Sequence, residues 1–185
     1  HDGNTCLKIV RTAGVRPDDV ALEIGPGLGS LTLAMMQEAK AVVVVEIDKR
    51  LAEQLPITAA KHSDNPEKLT VINKDALQID SLPIDPTVLI ANLPYNVSVP
   101  VFLHMLEKFP TLRTGVVMVQ AEVADRLAAK PAHRLAGRRT RCRDKWPVRS
   151  CEMGRGSAVE LVGAEVEPPD LVLTCAAHHH LVNHA

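Results

Sequence analysis

As far as Pro131, short runs of β-branched and other apolar residues alternate with longer stretches in which apolar residues recur at helical spacing. Five runs read as strands: Asp19–Ile24, Ala41–Ile47, Leu69–Asn73, Thr87–Ala91 and Thr114–Val119. Their apolar positions are nearly continuous rather than alternating, the pattern of strands buried on both faces. Around them, Thr5–Ala13, Ser30–Glu38, Lys49–Lys61, Val99–Lys108 and Glu122–Ala129 read as helices. Alternation of this kind predicts an α/β body, a parallel sheet with helices on both faces. In such a sheet the ligand crevice lies at the carboxyl ends of the strands.

The 185 residues carry 21 basic and 22 acidic side chains, a formal net charge of −1. Near-neutrality argues against a polyelectrolyte that holds nucleic acid by bulk charge. An apolar content of 46% with 23% charged residues argues against general disorder. Apolar runs such as Ala41–Val45 fall far short of the ~20 residues that span a bilayer, and no charged-then-apolar signal segment precedes the first helix. The expectation is a cytoplasmic protein, monomeric and without a membrane partner. Cys6, Cys142, Cys151 and Cys175 lack CxxC spacing, so neither a disulfide framework nor a zinc site is supported and no metal is expected. The only aromatic residues are Tyr95, Phe102, Phe109 and Trp146, which predicts an aliphatic core and makes the single tyrosine conspicuous.

Charge divides after Pro131. Residues 1–131 hold 8 Lys and 5 Arg against 16 acids, whereas residues 132–185 hold 1 Lys and 7 Arg against 6 acids. The later segment is itself blocked, net +6 over Ala132–Gly156 and net −4 over Ser157–Ala185. Two readings stay open: an interaction tail or linker, or sequence read from a shifted frame of GC-rich codons.

The residues with chemistry to offer fall at strand ends. Glu23-Ile-Gly-Pro-Gly-Leu-Gly29 closes the first strand and opens the helix at Ser30. Gly25, Gly27 and Gly29 let the backbone turn sharply and approach a ligand beside the N–H groups of the helix. Ser30 stands where the dinucleotide fingerprint has its third glycine, so a nucleotide-type cofactor loop and a tight structural turn are both open. Glu46, ending the second strand, can accept both hydroxyl hydrogens of a ribose; the bland reading is a solvated charge. Asp75, ending the third, can accept from an exocyclic adenine amine or cap a helix. Asn92-Leu-Pro-Tyr95 ends the fourth. Pro94 restricts Leu93 to extended geometry. The Asn92 side-chain oxygen and the Leu93 carbonyl can then accept from one amino group while Tyr95 stacks on the ring bearing it, the way a base is held for modification. The alternative is a strand-ending turn with a half-buried tyrosine.

Together, Glu23-x-Gly25-x-Gly27-x-Gly29, Val45-Glu-Ile-Asp48, Asp75, Asn92-Leu-Pro-Tyr95 and Gln120-Ala-Glu-Val-Ala-Asp-Arg126 resemble the ribosomal RNA adenine N6,N6-dimethyltransferases. The likeness is to the kasugamycin-sensitivity type that acts on the bacterial small subunit, and it runs from about Asp2 to Pro131. It implies a Rossmann-like S-adenosylmethionine-dependent methyltransferase fold for a domain over residues 1–131, with 132–185 an atypical tail. It implies S-adenosyl-L-methionine as cofactor, held by Glu23, Gly25, Gly27, Gly29, Glu46, Asp75 and Asn92, and a catalytic set of Asn92, Leu93, Pro94 and Tyr95. The implied partner is small-subunit ribosomal RNA or a pre-ribosomal particle. The implied reaction methylates the N6 amine of 16S adenosines to N6,N6-dimethyladenosine. The erythromycin-resistance methyltransferases of the large subunit are relatives, but Leu93 and Asn96 around the Pro-Tyr pair resemble the small-subunit branch more.

The departures matter too. The family's Gln-Asn-Phe segment has no counterpart here, and residues 132–185 carry neither its Phe-x-Pro-x-Pro motif nor its helical RNA-binding domain. Its last two strands are expected to be missing, with Ala158–Val166 and Leu171–Thr174 as candidate replacements. Impaired activity is therefore expected, and the alternative is a non-catalytic ribosomal RNA-binding protein or an inactive remnant. A nicotinamide-dependent oxidoreductase is disfavoured by Ser30 and by the Asn-Leu-Pro-Tyr strand end.

Overall fold

Each of the five apolar runs forms a strand in the computed structural model, which describes residues 3–93 and 97–118. The order is α1 (Gly3–Thr12), β1 (Val20–Ile24), α2 (Ser30–Glu38), β2 (Ala41–Glu46), α3 (Lys49–His62), β3 (Leu69–Asn73), β4 (Val88–Asn92), α4 (Ser98–Lys108) and β5 (Thr114–Met118). Short 3-10 turns occupy Pro66–Lys68 and Ala76–Gln78. All neighbouring strands are parallel, in the order β3-β2-β1-β4-β5. The expected α/β architecture is therefore present.

Strand pleating sends alternate residues to two cores. Leu22, Ile24, Val43, Val45, Leu89 and Ala91 pack on one face with Val101, Phe102, Met105 and Phe109 of α4 and its C-terminal end. Ala21, Val42, Val44 and Ile90 pack on the other with Val10 of α1, Leu31 and Met35 of α2, and Leu55 of α3. At roughly 1.5–3 kcal/mol per fully buried large apolar side chain, these two layers account for the near-continuous apolar runs. The core is largely aliphatic as expected, and two of the four aromatics, Phe102 and Phe109, sit on the α4 face.

Differences from the sequence expectation have local causes. β3 is not buried on both faces: Leu69–Ile72 are half-buried and Asn73 is exposed, because β3 ends the described sheet and has a strand neighbour only in β2. Asp19 and Thr87 lie just outside their strands, where their side chains bond each other. β2 stops at Glu46, leaving Ile47 70% exposed. Val119, the helix expected over Glu122–Ala129, and the tail with its candidate strands lie outside the described residues. Among the described residues no helix is long and apolar enough to cross a membrane.

The amino end of the sheet is closed by a buried acid. Asp19 is 3% exposed. Its Oδ1 accepts from Thr87 Oγ1 at 2.7 Å and from Arg113 Nε at 3.2 Å, while its Oδ2 accepts from the Arg16 N–H at 2.7 Å and forms an ion pair with an Arg113 Nη2 hydrogen. Arg113 also donates to the Gly14 carbonyl. One carboxylate thus gathers the approaches to β1, β4 and β5. The C-terminus of α2 receives a comparable tie, as Lys68 Nζ donates to the carbonyls of Met36 and Ala39 at 3.1 and 3.0 Å, placing a cation where the helix dipole favours one. Arg113→Met, which leaves Asp19 buried without its cation, is expected to cost roughly 3 kcal/mol. Urea denaturation should show a lower midpoint at an unchanged slope, and an unmoved midpoint would remove Arg113 from this account.

Candidate functional site

Strand order reverses at β1, whose neighbours β2 and β4 lead away on opposite sides. At such a switch point the loops leaving the carboxyl ends part and leave a crevice. The chain passes β1 there through its glycine turn. Gly25, Gly27 and Gly29 all have positive φ, +67°, +56° and +89°, a region that costs other residues strain. The turn is tied down by the Gly25 N–H, which donates to the Val45 carbonyl at 2.9 Å, and by the Gly29 N–H, which donates to the Pro26 carbonyl at 3.0 Å. Gly29 has a second reason to be glycine: a Cβ there would stand 2.9 Å from Leu55 Cδ2 of α3. α2 begins at Ser30 with no side-chain cap, so its first N–H groups face the turn with their donor capacity unspent on a cap.

Two carboxylates lie beside this turn. Glu46 is not a solvated charge; it is 5% exposed. Its Oε2 accepts from the Gly27 N–H at 3.3 Å and its Oε1 from the Asp48 N–H at 2.9 Å, which ties the end of β2 to the middle of the turn. Glu23, level with Val44 and Ile90 in the sheet, is 2% exposed and accepts from Thr32 Oγ1 at 2.5 Å. Burial, opposed by the Thr32 hydrogen bond and reinforced by the charge of Glu46, pushes the Glu23 carboxyl up from the ordinary 4.5 to about 8. Thr32 was not singled out in the sequence. Its signal was a hydroxyl among the apolar residues Leu31, Leu33, Ala34 and Met35, nine residues after Glu23.

At the end of β3 the capping reading of Asp75 is realised: Oδ1 accepts from the Leu77 N–H at 2.9 Å and opens the turn Ala76–Gln78. Asn73 bridges back, its Nδ2 donating to the carbonyls of Glu46 and Ile47. Beyond the strand ends stand three exposed apolar side chains: Leu28 in the glycine turn at 77%, Ile47 at 70% and Leu77 at 41%. Apolar surface held out of the core beside a crevice suits a ligand with an apolar face. From the sequence, Ile47 read as part of a buried strand, while Leu28 and Leu77 were given no role.

Asn92 ends β4, exposed, in register with Met118 of β5 and next to the strand that carries the glycine turn. Leu93 is buried in one cluster with Leu89, Ala91 and the α4 residues, so its side chain anchors the end of β4. Pro94, Tyr95 and Asn96 lie outside the described residues. The fold thus brings together the ends of β1, β2, β3 and β4, and with them Glu23, Gly25, Gly27, Gly29, Glu46, Asp75 and Asn92, along one edge of the sheet.

Comparison with known proteins gives this edge a context. The family model described as ribosomal RNA adenine dimethylase matches residues 1–145, carrying past Pro131. A protein of Streptomyces avermitilis named ribosomal RNA small subunit methyltransferase A is 57% identical over 138 residues, 74% of this chain and 47% of that one. The chain spans about half the length of the curated relatives it matches. Among solved structures, a dimethyladenosine transferase from Plasmodium falciparum superposes with a TM-score of 0.60 at 30% identity, over 69% of this chain and 45% of that one. The 23S rRNA methyltransferase ErmE does so with a TM-score of 0.60 at 31% identity, over 69% and 50%.

Gly29→Ala is expected to destabilise by about 1–3 kcal/mol through backbone strain and the approach to Leu55, measured as a fall in urea midpoint; a change within a few tenths would mean that the turn and Leu55 relax freely. Glu23 sets a pH dependence. Because its folded value lies above its unfolded one, the folded protein holds a proton that the unfolded chain has released, so stability falls as pH rises from about 4.5 through about 8. The melting temperature should decline over that window by an amount worth on the order of a few kcal/mol, and Glu23→Gln, which keeps the neutral form, should flatten the decline. Parallel pH profiles for the two proteins would refute it.

Proposed function

The chain belongs to the ribosomal RNA adenine dimethylase family, and from that premise we propose that it transfers methyl groups from S-adenosylmethionine to the N6 amine of adenosines in small-subunit ribosomal RNA, giving N6,N6-dimethyladenosine. The observation that carries the reading is the alignment of the glycine turn, Glu46, Asp75 and Asn92 along one sheet edge at the reversal of strand order. Curated relatives at 54–57% identity are named for the small subunit, against 31% for the 23S enzyme, which favours the small-subunit substrate over the large. The partner is small-subunit ribosomal RNA or a pre-ribosomal particle, and a monomeric, cytoplasmic protein goes with that role.

The residues at the edge fit the cofactor. The positive-φ glycines leave no Cβ between the turn and a methionine chain. Glu46, already fixed by two N–H donors, has lone pairs left for ribose hydroxyls. Ile47 and Leu77 offer apolar surface to a purine, with Asp75 beside them for its amine. S-adenosylmethionine, when bound, supplies a methyl group activated on a sulfonium.

The chain's own part is positioning. The Asn92 side-chain oxygen and the Leu93 carbonyl accept from the two N6 hydrogens of the target adenine. The purine withdraws the N6 lone pair, and acceptors that hold both hydrogens favour a pyramidal nitrogen directed at the methyl group. Pro94 keeps the Leu93 carbonyl extended, and Tyr95 stacks on the purine. No basic side chain is required before attack, because the amine becomes acidic once it carries the new methyl. Holding two reactants in line is the term with the greatest leverage in a bimolecular transfer.

Transfer of labelled methyl from S-adenosylmethionine to undermethylated small-subunit particles tests the reading. Asn92→Ala should lower turnover about 100-fold or more while cofactor affinity changes far less. Equal labelling by both proteins would remove Asn92 from the mechanism. Cofactor binding with no labelling by the wild type would favour the non-catalytic alternative.

A further inference from the structure

Beneath the glycine turn lies a buried acid without a cation of its own among the described residues. Glu23 is 2% exposed and its bonded partner is the neutral hydroxyl of Thr32. On the elements packed against that face, Arg11 of α1 pairs with Glu38 of α2, and Lys49 and Arg50 of α3 pair with Glu53 and Asp48. Lys8 of α1 is exposed and Cys6 is buried. The charge that bears on Glu23 is that of Glu46 on β2, which is of the same sign. A buried carboxyl so placed is kept neutral unless a cation arrives. Its partner suits both states, because a hydroxyl accepts from a protonated carboxyl and donates to an ionised one; a lysine or arginine would hold it ionised throughout.

We propose that Glu23 is a proton-exchanging counter-charge for the cationic cofactor: neutral in the free protein and ionised in the complex, so that cofactor binding expels one proton. The proposal rests on the cofactor assignment above. The glycine turn that receives the ligand begins two residues after Glu23, and an opposite charge within about 4–6 Å draws a carboxyl downward strongly enough to carry it across neutrality. The O–H bond of the Glu23 carboxyl breaks, the electron pair stays on the carboxylate, and the proton passes to bulk water. S-adenosylmethionine carries two cationic centres, the sulfonium and the α-ammonium, and either can supply the charge. Thr32 acts as a positioning residue through Glu23.

Isothermal titration of the full 185-residue chain in buffers of different ionisation enthalpy counts the protons. S-adenosylmethionine should release about one proton per site at pH 7 and close to none at pH 9, where the carboxyl is already ionised; affinity should rise about tenfold from pH 6 to pH 7. The difference between wild type and Glu23→Gln cancels the ligand's own amine titration, and Glu23→Gln should release none beyond that background. 5′-Methylthioadenosine, with neither cationic centre, should release none. Release with S-adenosylhomocysteine would assign the ammonium as the charge sensed, and release with S-adenosylmethionine alone would assign the sulfonium. Thr32→Val should move the release to higher pH and Thr32→Ser restore it. Should Glu23→Gln fail to fold, the wild-type contrast between pH 7 and pH 9 and between ligands decides. Binding without proton release, or equal release by wild type and Glu23→Gln, overturns the proposal alone; failure of all three ligands to bind overturns the cofactor assignment and the proposal with it.

Discussion

The reversal of strand order at β1 is the constraint on which the site depends. With β2 and β3 laid to one side of it and β4 and β5 to the other, the loops leaving the carboxyl ends must part, and the space between them receives the glycine turn from one strand and Asn92 from its neighbour. A sheet that grew in one direction only would separate these two groups or cover the gap with a crossover. The parallel arrangement adds a second consequence: all four chemistry-bearing strand ends point the same way, so their polar groups line one edge although they are spread over 70 residues of chain.

The two ends of this sheet treat buried charge in opposite ways. At the amino end, Asp19 is matched by Arg113 and by two further donors, and that neutralised cluster gathers the approaches to three strands. At the carboxyl end, Glu23 and Glu46 carry no ion pair among the described residues, only a hydroxyl for one and backbone N–H groups for the other. A buried acid with no cation beside it is costly to ionise, which is why burial pushes the Glu23 carboxyl up to about 8. The same turn that lets a ligand approach, with three residues in left-handed backbone, is pinned by its bonds to Val45 and Glu46 so that the strain is held in place.

Much of this was legible along the chain. The five strands, the helices between them and the glycine turn follow from apolar periodicity and from glycine's access to positive φ, both local properties. What was missed is pairwise and distant. Nothing near Asp19 announces a partner 94 residues later, and Thr32 looks like an ordinary helix residue until Glu23 is seen beneath it. Ile47 closes an apolar run and read as part of a buried strand; only the ending of β2 one residue earlier turns it out. The half-burial of β3 likewise depends on its place in the sheet and not on its composition, which matches that of β2 in kind.

The sequence by itself therefore determined the elements, their type and the residues able to do chemistry, because backbone preference and side-chain functional groups belong to single residues and their near neighbours. Tertiary structure alone decided which of those groups share an edge, which acid is paired with a cation and which is buried beside a hydroxyl. Burial and pairing are properties of neighbours in space, and the order in which parallel strands assemble decides who those neighbours are.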